Sequence, residues 1–143
     1  MTDRELVRAA QEARAYAYAP YSGFRVGAAL LTEEGRVYSG CNIENAAYSP
    51  SNCAERTAIF KAVSEGQRNF RGIAIVGGGT EGCLQMCPPC GVCRQVMMEF
   101  CNPESFYILL GTDDGKIQRY TLGQLLPQGF GAKNLEWNPE EER

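Results

Sequence analysis

The sequence contains no histidine among its 143 residues. Histidine is the usual proton carrier near neutral pH and a frequent zinc ligand. General acid–base chemistry in this chain must therefore use a carboxylate, lysine, tyrosine or cysteine. Any zinc site would have to be built from thiolates or carboxylates.

The sequence also lacks a basic segment followed by an apolar one at its start, and no apolar run approaches the roughly 20 residues that span a bilayer. We therefore expect a cytoplasmic protein without a membrane partner. The net charge of −3 gives no electrostatic reason to expect nucleic acid as a partner. The length suits a single domain, which we assign to residues 1–135, followed by a charged C-terminal tail at 136–143.

Hydrophobic periodicity and turn residues predict the element order α-β-β-α-β-α-β-β-α. A capping box of Thr2 and Glu5 indicates the first helix, and a second helix is predicted from Asn52. A third is predicted from about Gly91 to Cys101, with its apolar side chains facing inward: Val92, Val96, Met97 and Phe100. The buried strands "FRGIAIVG" and "SFYILLGT" each follow a helix, which favours parallel central strands covered on both faces. We predict an α/β fold, a three-layer α/β/α sandwich around a mixed five-stranded sheet.

Four of the seven cysteines, Cys83, Cys87, Cys90 and Cys93, lie in the stretch "CLQMCPPCGVC". An odd number of cysteines without a secretion signal favours metal binding or catalysis over a disulfide framework. The first three have the C-x3-C-x2-C spacing of a 4Fe–4S site in radical enzymes, but this chain is too short for the partial barrels of such enzymes. A structural zinc knot of all four thiols is a second interpretation.

A third interpretation uses only Cys90 and Cys93, which "PCGVC" places on the first turn of a helix, where the helix N-terminus favours thiolates. Two ligands are too few for a tight zinc site, and "NCAERTA" offers a third in Cys53, also at a helix start. Glu55 follows in the first turn and can reach back toward a metal beyond the helix end. Alternatively, Asn52 and Glu55 only cap this helix and Cys53 is buried packing.

Together, C-A-E and P-C-x-x-C resemble the zinc deaminase signature H-x-E…P-C-x-x-C, with a cysteine in the histidine position. Three protein ligands leave one position open for water. The sequence is similar to the small homotetrameric cytidine deaminases whose zinc is held by three cysteines. The similarity runs from about Ala17 to Leu135 and includes "AYAPYSGFRVGAAL", "GCNIENAAY", "CAERTAI", "PCGVCRQV" and "LLPQGFG".

The resemblance implies zinc-dependent hydrolytic deamination of cytidine and deoxycytidine to uridine and deoxyuridine plus ammonia, a step of pyrimidine salvage. One Zn²⁺ per chain would be bound by Cys53, Cys90 and Cys93, and Glu55 would be the proton shuttle. Cys83 and Cys87 have no counterpart in this pattern, and their thiols are candidates for competing metal ligands or a reversible disulfide.

The resemblance also implies a set of contacts to the nucleoside substrate. Asn42 and Glu44 would bind the ribose hydroxyls, Phe24 would stack on the pyrimidine, and the backbone of Ala54 would contact the base. In a homotetramer with shared active sites, three further residues would contact the nucleoside of a neighbouring subunit: Ala46, Tyr48 and Phe130. Without the resemblance, Asn42 and Glu44 would be ordinary turn residues and Phe24 a core aromatic.

Three thiolates with Zn²⁺ carry a formal charge of −1, which weakens the metal as a Lewis acid. Arg56, next to Glu55, is our candidate for drawing charge from the sulfur atoms, and Arg94 is a second one. A surface salt bridge is the alternative for both.

Two other functions compete with this one. The enzymatic alternative is a related deaminase that acts on another aminopyrimidine, such as blasticidin or a polynucleotide cytosine. The low basic content disfavours polynucleotides, and "NIENAAY" favours a ribose. A structural zinc or iron–sulfur module is the non-enzymatic alternative.

Overall fold

The computed structural model describes residues 1–79 and 84–136. The predicted order of helices and strands is confirmed. The elements are α1 (Asp3–Arg14), β1 (Arg25–Thr32), β2 (Val37–Cys41), α2 (Ala54–Ser64), β3 (Phe70–Gly78), α3 (Gly91–Phe100), β4 (Tyr107–Gly111), β5 (Ile117–Thr121), α4 (Leu122–Leu125) and a 3-10 turn (Ala132–Leu135).

The sheet is mixed and five-stranded, as predicted, with the strand order β2-β1-β3-β4-β5. The central pair β3 and β4 is parallel, with Ile73 opposite Ile108, and α3 forms the crossover between these strands. The other strand pairs in the sheet are antiparallel. The helix before each central strand therefore correctly indicated the parallel pair, because a parallel connection needs a crossover.

The two faces of the sheet carry separate apolar cores, and this confirms the three layers. Successive side chains of β3 alternate between them, as a strand requires. Ile73 and Ile75 lie in the core beneath α2, α3 and α4, whereas Ala74 and Val76 lie in the core beneath α1. The start of α1 has the predicted capping box, with Thr2 and Glu5 each bonding to the backbone of the other.

The orientation of α3 differs from the prediction at one position. Val92 was expected to face inward, but its side chain is 57% exposed. Met97 is buried as predicted, and Cys93, one helical turn before it, is buried in place of Val92. Because one residue turns the helix by about 100°, burying Cys93 carries Val92 out of the core.

Helix α2 lies unusually close to the backbone of β2. A Cβ atom added to Gly40 would lie 2.5 Å from the carbonyl oxygen of Ala54 and 2.6 Å from the amide nitrogen of Ala58. Only glycine leaves room for this approach. The contact fixes the height of the first turn of α2 above the sheet, and that turn follows directly on Cys53.

Among the described residues, no helix is both long and apolar enough to cross a membrane. The cytoplasmic location stays a prediction. The division between a domain at 1–135 and a tail at 136–143 also stays a prediction, since residues 137–143 lie outside the described part of the chain.

Candidate metal centre

Two cysteines occupy the N-cap positions of α2 and α3. Cys53 and Cys90 both have extended backbone conformations, and neither side chain caps its own helix. Asn52 is not the cap of α2, because the N-cap position belongs to Cys53, and the Asn52 side-chain amide donates to the hydroxyl of Thr57 at 3.2 Å. The capping alternative for this segment is therefore wrong, and both sulfur atoms are available to a group beyond the helix ends.

The thiols of Cys53, Cys90 and Cys93 form one cluster, in which all sulfur atoms lie within 4.8 Å of one another. The Cys53–Cys90 and Cys90–Cys93 sulfur distances are 3.8 and 3.6 Å. A tetrahedral zinc with Zn–S bonds of about 2.3 Å places its sulfur ligands about 3.8 Å apart. The cluster therefore has the donor type and spacing that zinc requires, and three ligands leave a fourth position for another group.

The surroundings of the cluster favour a thiolate. The hydrogen bond from the Cys93 thiol, together with one from Arg56, lowers the pKa of Cys53 to about 5. The same bond to Cys53 and burial raise the pKa of Cys93, so the proton stays on Cys93. The partial positive charges of the two helix N-termini also favour the thiolate form of cysteines in the cluster.

Glu55 is the buried carboxyl group beside the thiols, and its residue is only 3% exposed. Burial raises the pKa of Glu55 to about 7. A carboxyl group that titrates near neutral pH can both accept and donate a proton during one reaction.

Of the two candidate arginines, only Arg56 contacts sulfur. Its Nη2 donates to the sulfur of Cys53 at 3.3 Å. Arg94 instead donates from Nε to the carbonyl oxygen of Pro89 at 2.8 Å and from Nη1 to that of Leu125 at 2.6 Å. These bonds do not support the hypothesis that Arg94 draws charge from the thiolates, and within residues 1–79 and 84–136 Arg94 forms no salt bridge either.

A cavity of about 380 Å³ opens beside the cluster. This volume lies within the range of small-molecule sites. Its walls include Cys53, Cys90 and Glu55 from the metal centre, and the predicted substrate residues Phe24, Asn42, Glu44 and Ala54. These seven residues come from separate stretches of the sequence, and the fold brings them together around one cavity.

Hydrogen bonds to the backbone hold Asn42 and Glu44 in place. The side-chain oxygen of Asn42 accepts from the Val26 amide at 2.8 Å, and its nitrogen donates to the Phe24 carbonyl at 2.8 Å. The carboxylate of Glu44 accepts from the amides of Tyr21 and Ser22 at 2.9 and 3.1 Å. Each side chain keeps further hydrogen-bonding capacity for a ligand, one N–H on the amide and lone pairs on the carboxylate.

Three predicted substrate residues, Ala46, Tyr48 and Phe130, do not line this cavity. Tyr48 is 74% exposed and Phe130 is 57% exposed. One chain does not bring them to its own metal centre, and their contact with a neighbour's nucleoside stays a prediction.

Cys87 lines the cavity but lies outside the cluster of three thiols. Burial, with the nearby negative charge of Glu55, raises the pKa of Cys87 to about 12, so its thiol stays neutral. The four-thiol knot and the iron–sulfur site both require Cys87 as a ligand, and the structure gives neither of them support. Cys83, the other extra cysteine, lies outside the described residues.

Ser22 lines the cavity but was not among the predicted site residues, and Cys87 was predicted only as an extra thiol, not as a wall of the substrate cavity. Ser22 donates its hydroxyl to Glu44 and accepts from the Phe24 amide, so it organises both substrate residues. Cys87 forms a wall beside Phe24, because a Cβ on Gly77 would lie 2.8 Å from the Cys87 sulfur and 3.2 Å from the Phe24 ring. The only available signal was that Ser22 lies inside the matching stretch "AYAPYSGFRVGAAL".

Comparisons with known proteins agree with this site. A family model of the cytidine and deoxycytidylate deaminase zinc-binding region matches residues 1–109. The cytidine deaminase of Sporosarcina psychrophila is 50% identical over 141 residues, which are 99% of this chain and 100% of that protein. The cytidine deaminase of Halalkalibacterium halodurans is 50% identical over 93% of this chain and 98% of that protein.

Solved structures give the same result. The crystal structure of cytidine deaminase from Burkholderia pseudomallei matches with a TM-score of 0.82 and 48% identity over 91% of this chain and 100% of that chain. The enzyme from Mycobacterium tuberculosis matches with a TM-score of 0.74 and 39% identity over 92% and 99% of the two chains. On its zinc-compatible thiols, its fold and these matches over nearly its whole length, the chain belongs to the cytidine and deoxycytidylate deaminase family.

Proposed function

We propose that this chain catalyses zinc-dependent hydrolytic deamination of cytidine and deoxycytidine to uridine and deoxyuridine, releasing ammonia, as a step of pyrimidine salvage. The observation that carries the proposal is the composition of one cavity. Cys53, Cys90 and the buried Glu55 line it together with Asn42 and Glu44. A metal-activated water and a proton carrier are thus available beside polar groups suited to a ribose.

In this proposal Cys53, Cys90 and Cys93 hold one Zn²⁺ per chain. When bound, zinc lowers the pKa of a water molecule toward neutrality and makes it a nucleophile at physiological pH. The three sulfur atoms are within 4.8 Å of one another, which supports this assignment.

Glu55 moves the protons of the reaction. Its carboxylate accepts a proton from the attacking water and gives it to N3 of the cytosine ring, which makes C4 electrophilic as the C–O bond forms. Glu55 then carries the second proton of the water to the exocyclic amine. The C4–N bond breaks, ammonia leaves, and the sum is one water consumed for each ammonia released. The raised pKa of Glu55, about 7, suits both directions of transfer.

Arg56 adjusts the charge of the thiolates. Its guanidinium donates to Cys53 and remains charged at every physiological pH. By drawing electron density from sulfur it keeps the metal an effective Lewis acid although three thiolates surround it.

The substrate is held by the remaining walls of the cavity. Asn42 and Glu44 bind the ribose hydroxyls with the capacity that their backbone bonds leave free, and Phe24 stacks on the pyrimidine. The backbone of Ala54, at the first position of α2, contacts the base. Because a built hydrogen-bonding site discriminates strongly against a ligand that lacks the partner group, this arrangement favours nucleosides over free bases.

The active assembly is a homotetramer with shared sites, in which Ala46, Tyr48 and Phe130 complete a neighbour's cavity. The exposure of two large aromatics supports this, since such residues are enriched in interface cores. Tyr48 also has a left-handed backbone, with φ of 61°, which is uncommon outside glycine. The edge-to-face contact with Tyr21, at a ring-centroid distance of 6.4 Å, holds its ring in this position.

The first prediction concerns Glu55. Glu55→Gln should keep zinc and the fold but lose nearly all turnover, because an amide does not act as a general base or acid near neutral pH. The fall in ultraviolet absorbance on mixing with cytidine measures activity, and elemental analysis measures zinc. Glu65→Gln, an exposed change at the other end of α2, is the matched control and should retain full activity. Near-normal turnover by the Glu55 variant would exclude the proposed mechanism.

The second prediction separates the cysteines. Cys53→Ser, Cys90→Ser and Cys93→Ser should each lose zinc or activity, since serine is a poor ligand for zinc. Cys87→Ser is the matched control in the same cavity and should keep one zinc per chain. Zinc content that depended on Cys87 would instead favour the four-thiol knot.

The third prediction concerns Arg56. Arg56→Gln should lower the turnover number about 10- to 100-fold with zinc still bound, because groups that contact metal ligands have effects of this size. Arg4→Gln, on the exposed side of α1, provides the control for losing a positive charge. The idea fails if turnover by the Arg56 variant is unchanged.

The fourth prediction tests shared sites. Glu55→Gln chains and Phe130→Ala chains should each be impaired, and exchanging their subunits should restore part of the activity. Some sites would then combine an intact Glu55 with an intact Phe130 from a neighbour. Full activity in a dilute monomer, or no recovery after verified exchange of an impaired Phe130 variant, would contradict the shared site.

A further inference from the structure

Two consecutive side chains of α3 bind the segment Leu125–Gly131, which contains Phe130. Arg94 follows Cys93 directly, and its Nη1 donates to the carbonyl oxygen of Leu125 at 2.6 Å. Gln95 donates from Nε2 to the carbonyl oxygen of Phe130 at 2.8 Å. The helix that carries Cys93 therefore holds both the beginning of this segment and Phe130 itself.

Arg94 connects this segment to the loop before the metal ligands. Its Nε donates to the carbonyl oxygen of Pro89, the residue before Cys90, at 2.8 Å. A guanidinium group is planar and rigid, so two bonds from it fix two backbone segments relative to each other. The anchor at Leu125 thus depends on the same side chain that supports the loop leading to Cys90.

Packing holds the backbone on both sides of Phe130. A Cβ added to Gly129 would lie 3.3 Å from the sulfur of Met98, and one added to Gly131 would lie 3.2 Å from its methyl carbon. Met98 lies one turn after Arg94, so its side chain supports the segment from the same helix. Gln128 has a φ of 54°, in the left-handed region, which a non-glycine residue adopts only when its surroundings impose it.

The side chain of Phe130 is nevertheless 57% exposed. A large aromatic group is thus presented outward from a backbone that hydrogen bonds and packing hold in one position. Such a group loses little conformational freedom when it enters a partner's site, and this lowers the cost of binding. If Phe130 only covered its own chain, its side chain would be expected to pack against the helix that holds its backbone.

We propose that Gln95 is a positioning residue, which, with Arg94 anchoring the start of the segment, sets Phe130 where it enters the nucleoside site of a neighbouring subunit. The metal-binding helix of one subunit thereby places an aromatic wall of the next subunit's cavity. This inference rests on the proposed shared site, and it makes a specific claim: loss of Gln95 acts on the neighbour's site and not on its own.

Gln95 is the better residue to test, because Arg94 also bonds next to Cys90 and its loss would disturb its own metal centre. Gln95→Glu keeps the size of the side chain but replaces the donor with a carboxylate that repels the Phe130 carbonyl. Glu99→Gln is the matched control, one turn further along the same helix and also exposed. Gln95→Ala is a second variant that removes the donor without adding a charge.

The experiment uses mixed oligomers of reporter and carrier chains. Reporter chains have the unchanged sequence, and carrier chains, co-expressed in large excess, contain Glu55→Gln so that their own sites are silent. The carriers contain no second change, or additionally Gln95→Glu, Gln95→Ala, Glu99→Gln or Phe130→Ala. Turnover then comes from reporter sites whose neighbours are mostly carriers. Zinc content, oligomer size and melting temperature are measured for each carrier.

With Gln95→Glu or Gln95→Ala carriers, the KM of the reporter sites for cytidine should rise about 3- to 10-fold, the effect of one lost hydrogen bond. The kcat should stay within about twofold, since a misplaced wall weakens ground state and transition state alike. Phe130→Ala carriers should raise KM at least as much, and Glu99→Gln carriers should match the carrier without a second change. The Gln95 carriers should keep their zinc.

Three results would overturn the inference, and they are distinguishable. If Phe130→Ala carriers raise the KM and Gln95 carriers do not, the shared site stands and Gln95 does not position it. If neither changes the KM, the shared site itself fails, and the inference fails with it. A second reporter chain, which contains Gln95→Glu and is mixed with Glu55→Gln carriers, tests the third case. If this change lowers kcat or zinc content while the same change in carriers has no effect, Gln95 acts only within its own subunit.

Discussion

The N-termini of α2 and α3 meet so that the sulfur atoms of Cys53 and Cys90 lie 3.8 Å apart, although 37 positions separate these residues in the chain. Neighbouring thiolates repel one another, and the two helix ends offset part of this cost with their partial positive charge. Packing against the sheet and the core fixes the positions of the two helices. Gly40 lets α2 lie on β2, and the burial of Cys93 and Met97 fixes the rotation of α3.

Few side chains supply charge or carry protons at this cluster, because the chain has no histidine that could do either. Arg56 is the positive side chain that contacts a sulfur atom, and Glu55, from the same first turn, is the buried carboxyl group. Three of the four consecutive residues Cys53–Arg56 thus supply a metal ligand, a proton carrier and a positive charge beside the ligand. A helix N-terminus suits this arrangement because its first residues can all approach one point beyond the end.

Arg56 and Arg94 both lie beside residues of the metal centre in the sequence but make different contacts. Arg56 and Arg94 each follow a predicted ligand or proton carrier, and both were candidates for contact with sulfur. Arg94 instead bonds to two backbone carbonyls, next to Cys90 and at the end of α4. Since a guanidinium group can donate to either kind of acceptor, its neighbours in three dimensions decide which partner it takes. Adjacency in sequence does not contain that information.

Local patterns therefore determined the elements and the motif residues, since period, capping boxes and turn residues depend on contacts a few positions apart. The element order, the mixed sheet and the absence of histidine ligands follow from the sequence alone. Only the tertiary structure decided that Val92 faces solvent, that Cys87 is a neutral cavity wall and that Arg94 and Gln95 hold the segment of Phe130. Each of these depends on which distant backbone lies beside the residue, and long-range packing alone fixes that.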